Sequence, residues 1–181
     1  MRLLVAVASR SRGTSHLAEV LGDQLSSRGA DVDVLRPSAI DGFDQYDAVV
    51  VGAALSGGRW RWNARHFVRT HAEALTDRPV WLYSSATRDD DDSPEHVIDI
   101  DLGAIIRAIG VHEHRVFDVP SRRALRKLED ADETRSSRGG RARWDAVEDW
   151  AQQILDELST QRAWMSGEVA RGGYLPAEPP A

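Results

Sequence analysis

Ser9-Arg10-Ser11-Arg12-Gly13-Thr14-Ser15 packs four hydroxyls and two guanidinium groups into seven consecutive residues. Hydroxyls donate hydrogen bonds and arginines neutralise charge. Where such a loop opens a helix, the unpaired backbone N–H groups of the first turn aim at the same place. The apolar run just before it, residues 3–8, reads as a strand buried on both faces, and Leu17, Val20, Leu21 and Leu25 follow at helical spacing. The combination predicts an anion site, with phosphate the expected anion. The plainer alternative is an ordinary strand-to-helix turn with a serine or threonine cap.

Trp60 and Trp62 alternate with Arg59 and Arg61, which suits either a planar ligand or a partner surface, against helix-start packing as the plain alternative. The run Asp89 to Asp92 concentrates negative charge, as solvated loops commonly do, and lacks the spacing of a calcium loop. His112 and His114 alternate as if on one face of a strand, a spacing open to metal binding, although exposed or packing histidines are the commoner case. His66 and His71 share one side of a helix, with His71 at a core edge. No acid and base pair is assigned, so neither catalytic residues nor a metal site is predicted.

The elements that would position these groups alternate between strand and helix. Gly29 stops the first helix, residues 31–35 alternate as a short strand, and residues 48–54 form a second strongly buried strand. Phe67, Val68, His71 and Leu75 support the next helix, and Pro79 introduces a strand over residues 80–84. Leu102, Ile105, Ile106 and Ile109 stripe another helix closed by Gly110, and residues 112–119 read as the fifth strand. The arginine-rich stretch from Arg122 to Arg143 offers few apolar anchors, so it reads as a short helix near residues 124–128 and then a solvated loop. From Trp144, Val147, Ala151, Ile154 and Leu158 lie on one face of a closing helix. This alternation calls for a parallel sheet covered on both faces, with ligands outside the carboxyl ends of the strands.

Composition narrows the classes. The 181 residues contain no cysteine, which excludes disulfides, thiolate metal sites and thiol catalysis. A net charge of -6 argues against a dedicated nucleic-acid binder, and no apolar run reaches the ~18 residues of a membrane span. The expectation is a soluble, cytoplasmic protein. No Gly-x-Gly-x-x-Gly follows the first strand, and neither a Walker-type phosphate loop nor a Gly-x-Ser-x-Gly elbow occurs. A receiver domain would need an acidic residue where Ala53 and Ala54 stand.

Ala8-Ser9-Arg10-Ser11-Arg12-Gly13-Thr14, the strand Tyr46-Asp47-Ala48-Val49-Val50-Val51-Gly52-Ala53-Ala54, Gly58-Arg59-Trp60, Arg65-His66-Phe67-Val68 and Arg78-Pro79-Val80-Trp81-Leu82-Tyr83-Ser84-Ser85 follow one another in a familiar order, with a weaker echo in Trp144-Asp145-Ala146-Val147. On these motifs, over most of residues 1–158, the chain resembles the flavodoxin family, in particular the flavodoxin-domain proteins related to menaquinone-dependent protoporphyrinogen oxidase. The resemblance implies a flavodoxin-like, doubly wound α/β fold with a five-stranded parallel sheet of order 2-1-3-4-5 and helices on both faces. It implies FMN, with its phosphate at Ser9, Arg10 and Thr14 and its ring flanked by Gly58, Arg59, Trp60, Ser84 and Ser85. With their loop neighbours Ser11, Arg12, Gly13, Ser15, Ser56 and Gly57, these residues make up the expected cofactor site. Stacking on the ring falls to Trp60 or Trp62, because Leu55-Ser56-Gly57 carries no aromatic residue where family members often have one. Arg12 also stands where the family usually has glycine, and Phe117-Asp118-Val119-Pro120 lacks the glycine-rich character expected after strand five.

The expected function is FMN-dependent electron transfer or a small oxidoreductase, with a redox partner protein or a quinone as partner. Protoporphyrinogen oxidation is the narrower enzymatic version. The alternative is a cofactor-free scaffold acting as a binding or regulatory module. The expected domain spans residues 1–160, followed by a disordered tail over 161–181.

Overall fold

The computed structural model describes residues 1–87, 100–119 and 138–166. Five parallel strands, β1 (Arg2–Val7), β2 (Asp31–Leu35), β3 (Ala48–Ser56), β5 (Val80–Thr87) and β6 (Glu113–Val119), lie in the order β2-β1-β3-β5-β6. The short β4 (Arg59–Trp60) pairs antiparallel with the end of β3, off the main path. Discounting β4, this is the expected 2-1-3-4-5 order.

Successive side chains of a strand point to opposite faces, and both faces here are buried. Leu3, Val5, Val7, Val50, Trp81 and Tyr83 pack with Leu17, Leu21 and Leu25 of α1 (Arg12–Ser27) and with Val147, Trp150, Ile154 and Leu158 of α5 (Arg138–Met165). Leu4, Ala6, Val49, Val51 and Leu82 pack on the other face with Phe67 and Val68 of α2 (Trp62–Thr70), Leu75 of α3 (Ala72–Thr76) and Leu102, Ile105 and Ile109 of α4 (Ile100–Ile109). Arg28 joins the helices of the first face, reaching Glu148 at 2.9 Å and Gln152 at 3.1 Å.

Several elements differ from the sequence reading. β3 runs on to Ser56 because Gly57 and Gly58, at φ of 59° and 71°, turn the chain back into β4. The second helix breaks at His71, whose ring packs against Phe43 at 5.1 Å and Phe67 at 5.0 Å. α5 starts at Arg138, before Trp144, and continues to Met165, five residues into the segment read as tail. The short helix expected near residues 124–128, the acidic run Asp89 to Asp92 and residues 167–181 lie outside the described residues. No helix among the described residues is long and apolar enough to cross a membrane.

Candidate functional site

Strand order reverses direction at β1, with β2 on one side and β3 on the other, so the loops leaving β1 and β3 part there and open a crevice at the carboxyl edge of the sheet. The backbone holds this edge firmly. Ala8 donates its N–H to the Gly52 carbonyl at 2.8 Å, and its own carbonyl accepts from Asn63 Nδ2 at 3.4 Å. Ser9, Arg10 and Ser11 then form the loop, where Ser9 Oγ accepts the Ser11 N–H at 3.1 Å. Arg12, Gly13, Thr14 and Ser15 are the first turn of α1 rather than part of the loop.

Ser11 occupies the N-cap position of α1, yet its side chain makes no capping bond, and no acidic residue stands in the first turn. The positive end of a 16-residue helix is therefore presented to the crevice without an internal counter-charge from that turn. Ser9, Ser11 and Ser15 are half-buried, Arg10 and Arg12 exposed, and Gly13 and Thr14 buried.

Thr14 does not aim its hydroxyl at the crevice. Its Oγ1 shares a 2.6 Å hydrogen bond with Ser85 Oγ, both residues being buried, and its carbonyl accepts from the Tyr83 phenol at 3.2 Å. Burial pushes the Tyr83 phenol well above its ordinary range, so it remains a donor. The Tyr83 ring lies over Gly52, where an added Cβ would come within 1.8 Å of the ring. Glycine at 52 thus makes room for the tyrosine that ties β5 to the first turn of α1.

The hairpin forms the other wall. Ser56, Gly57 and Arg59 are exposed, Gly58 is half-buried and Trp60 turns inward. Trp60 is 1% exposed and donates its indole N–H to Ser84 Oγ at 2.7 Å. Ser84 Oγ also lies 2.8 Å from His114 Nε2, so with Nε2 unprotonated the serine O–H donates to His114 while the serine oxygen accepts from the indole. The other tryptophan considered for ring stacking, Trp62, is 68% exposed and lies flat on His66 at 4.5 Å, on the outside of α2.

The fold thus brings Ser9 to Ser15, the 56–59 hairpin, Ser84 and Ser85 to one edge of the sheet. It separates the histidine pair: His112 stacks on Trp81 at 4.9 Å, while His114 meets Ser84 and Trp60 on the opposite face. Their expected common face is lost because His112 precedes β6 rather than lying within it. Among the described residues no cluster of potential metal ligands forms. Sequence reasoning missed Asn63, Tyr83 and His114 as positioning residues. The usable signal was Gly52, a glycine interrupting a run of valines, which marks a close approach.

An open parallel sheet with helices on both faces and an uncapped helix N-terminus at its switch point defines a doubly wound α/β architecture. The chain belongs to the flavodoxin domain family, whose model matches residues 4–104. Over 86 residues it is 30% identical to the protoporphyrinogen IX dehydrogenase (quinone) of Escherichia coli, covering 46% of this chain and 48% of that protein. The chain therefore spans about half the length of the curated relatives it matches. The fold is similar to that of the flavodoxin of Streptococcus pneumoniae TIGR4, with a TM-score of 0.59 and 17% identity over 87% of this chain and 99% of that one. It is also similar to the rubredoxin oxygen:oxidoreductase of Desulfovibrio gigas, with a TM-score of 0.62 and 15% identity over 90% of this chain and 37% of that one.

Proposed function

We propose that the protein binds FMN at the carboxyl edge of its sheet and acts as an electron-transfer protein or small oxidoreductase. The carrying observation is the N-terminus of α1, uncapped by Ser11 and free of acidic residues in its first turn, at the β1/β3 switch point. Backbone N–H groups of residues 12–14 and the hydroxyls of Ser9, Ser11 and Ser15 hold the phosphate, and Arg10 or Arg12 neutralises it; the Ser15 N–H is already given to the Ser11 carbonyl at 3.0 Å. Gly13 keeps the first turn thin. Thr14 contributes through its backbone, since its hydroxyl is engaged by Ser85. Ser56, Gly57, Gly58 and Arg59 border the ring, while Trp60, Ser84 and Ser85 brace that border from beneath. FMN supplies the one- or two-electron chemistry, and the protein supplies binding, orientation and electrostatics. The quinone named for the Escherichia coli relative supports a quinone or a redox protein as exchange partner, and protoporphyrinogen oxidation as the narrower activity.

The test is a titration of flavin-stripped protein with FMN, followed by quenching of flavin fluorescence, with riboflavin as the phosphate-free control. Saturable FMN binding that riboflavin does not match is expected. Replacing both Ser9 and Ser11 by alanine should weaken FMN by roughly tenfold or more, as loss of charge-assisted hydrogen bonds does, with less effect on riboflavin. Equal affinity for the two ligands would contradict the phosphate assignment.

One observation favours a second reading, a cofactor-free binding or regulatory module: Trp60, Ser84 and His114 hydrogen-bond among themselves, as do Thr14 and Ser85. Failure of folded protein to bind FMN in the same titration would make this the better account.

A further inference from the structure

Two neighbouring residues in the last turn of α5 hold large apolar side chains out to solvent: Trp164 is 69% exposed and Met165 88%. They stand at the amino edge of the sheet, where the chain enters β5 and β6, and form one wall of a groove of about 560 Å³. Pro79, Ile109 and His112 line the same groove. His112 is held from two sides, its ring stacked on Trp81 at 4.9 Å and its Nε2 3.3 Å from the Gln161 amide nitrogen. A second groove, of about 630 Å³, shares Asp77, Pro79 and Met165 with the first and runs on past Asp44 and Leu158 to Ser166. Contiguous apolar surface of this kind marks an interaction site.

We propose that the groove beside Trp164 is the seat of the chain's own residues 174–180. This segment reads Tyr-Leu-Pro-Ala-Glu-Pro-Pro, with Pro176 and Pro179 in the Pro-x-x-Pro spacing. Proline-rich segments dock in aromatic-lined grooves because their extended conformation is largely set beforehand and little entropy is lost on binding. Trp164 and His112 supply the aromatic surface, and Pro79 and Ile109 the aliphatic one. Reach is no obstacle. Tyr174 follows Ser166 by eight residues, a span of up to about 27 Å, and the connected grooves begin at Ser166 itself. Gly167, Gly172 and Gly173 allow the chain to reverse direction on the way.

Charge agrees with this path. Arg171 is the one cation between residues 167 and 181, and it lies between Ser166 and the proline-rich segment, where Asp44 and Asp77 line the route. A tether this short holds the segment at an effective concentration on the order of millimolar, which a second copy of the chain would have to outcompete. The groove lies at the edge of the sheet opposite the proposed flavin crevice, so the inference does not rest on FMN binding.

The experiment compares backbone amide and indole resonances of the 181-residue chain with those of Tyr174→Asp/Leu175→Asp, a change that touches no core residue. The amides of Asp77, Gly110 and His112 and the Trp164 indole N–H are expected to shift, while the amides of β1 and β3 stay where they are. In the reverse direction, Trp164→Ala should shift the amides of Tyr174 and Leu175. Shifts confined to the immediate sequence neighbours of each substitution would overturn the proposal. So would a difference at the groove between parent and variant that fades on dilution, which would assign the groove to a second copy of the chain.

Discussion

At the scale of single residues, the buried hydroxyls do structural work that their types alone suggested would go to a ligand. Thr14 stands in the first turn of α1, yet its hydroxyl is spent on Ser85, 71 residues away in sequence. Thr14→Val should therefore leave the Ser85 hydroxyl without this partner and lower stability by about 1–3 kcal/mol, while FMN affinity changes by less than about threefold. Denaturant melts and flavin titration of the same variant check the two halves. Gly52 makes a sharper case. Gly52→Ala drives a methyl group into the Tyr83 ring and should destabilise the fold by about 3 kcal/mol or more, whereas the same change in a Tyr83→Ala background should add much less. Additive losses in the double-mutant cycle would show that the ring is not what keeps position 52 a glycine. None of these pairings was legible in the sequence, because each joins side chains brought together only by the sheet. The placement of the hydroxyls and arginines of the first loop was legible, because it depends on a local strand-to-helix junction.

At the scale of elements, legibility tracked burial. β1, β3 and the first half of β5, Val80 to Tyr83, are covered on both faces and show as apolar runs, and the stripes of α1, α4 and α5 repeat at helical period. Two features escaped that logic. β4 is only two residues long and exists because the Gly57-Gly58 turn folds it onto β3, while the break between α2 and α3 centres on His71, lodged between Phe43 and Phe67. At the amino-terminal edge of the sheet, β1 and β2 are clasped by a charged cluster. Asp33 accepts from the Tyr46 phenol at 2.8 Å and from Arg2 Nη2 at 2.9 Å, and these partners hold its carboxyl below its ordinary value. A carboxylate depressed on folding stabilises the protein above its unfolded pKa of about 3.9, and that contribution is lost as pH falls through the lower folded value. Stability measured by denaturant between about pH 5 and pH 2 should therefore fall less steeply for Asp33→Asn than for the parent. Identical acid limbs would remove Asp33 from the account.

At the scale of the whole molecule, the residues of the proposed site gather at one edge of the sheet and clasping interactions at the other. The carboxyl edge carries the open α1 terminus, the hairpin wall and the start of α2, where Asn63 bonds the Ala8 carbonyl. The amino edge carries the Arg2, Asp33 and Tyr46 cluster and the Arg78 side chain, which donates to the backbone carbonyls of Phe43, Tyr46 and Ala74. This division follows from parallel topology, in which every strand delivers its following loop to the same edge. It explains why the fold, and the edge to which the loops after β1 and β3 are delivered, could be read from the alternation of strands and helices. The division of labour among the hydroxyls could not be read that way.

The most direct test of the central claim is to follow backbone amide resonances of the protein while FMN or riboflavin is added. FMN is predicted to shift the amides of Arg12, Gly13 and Thr14 most strongly, with riboflavin leaving those three nearly unmoved. Shifts confined to other regions, or the same shifts with riboflavin, would contradict a phosphate site at the start of α1.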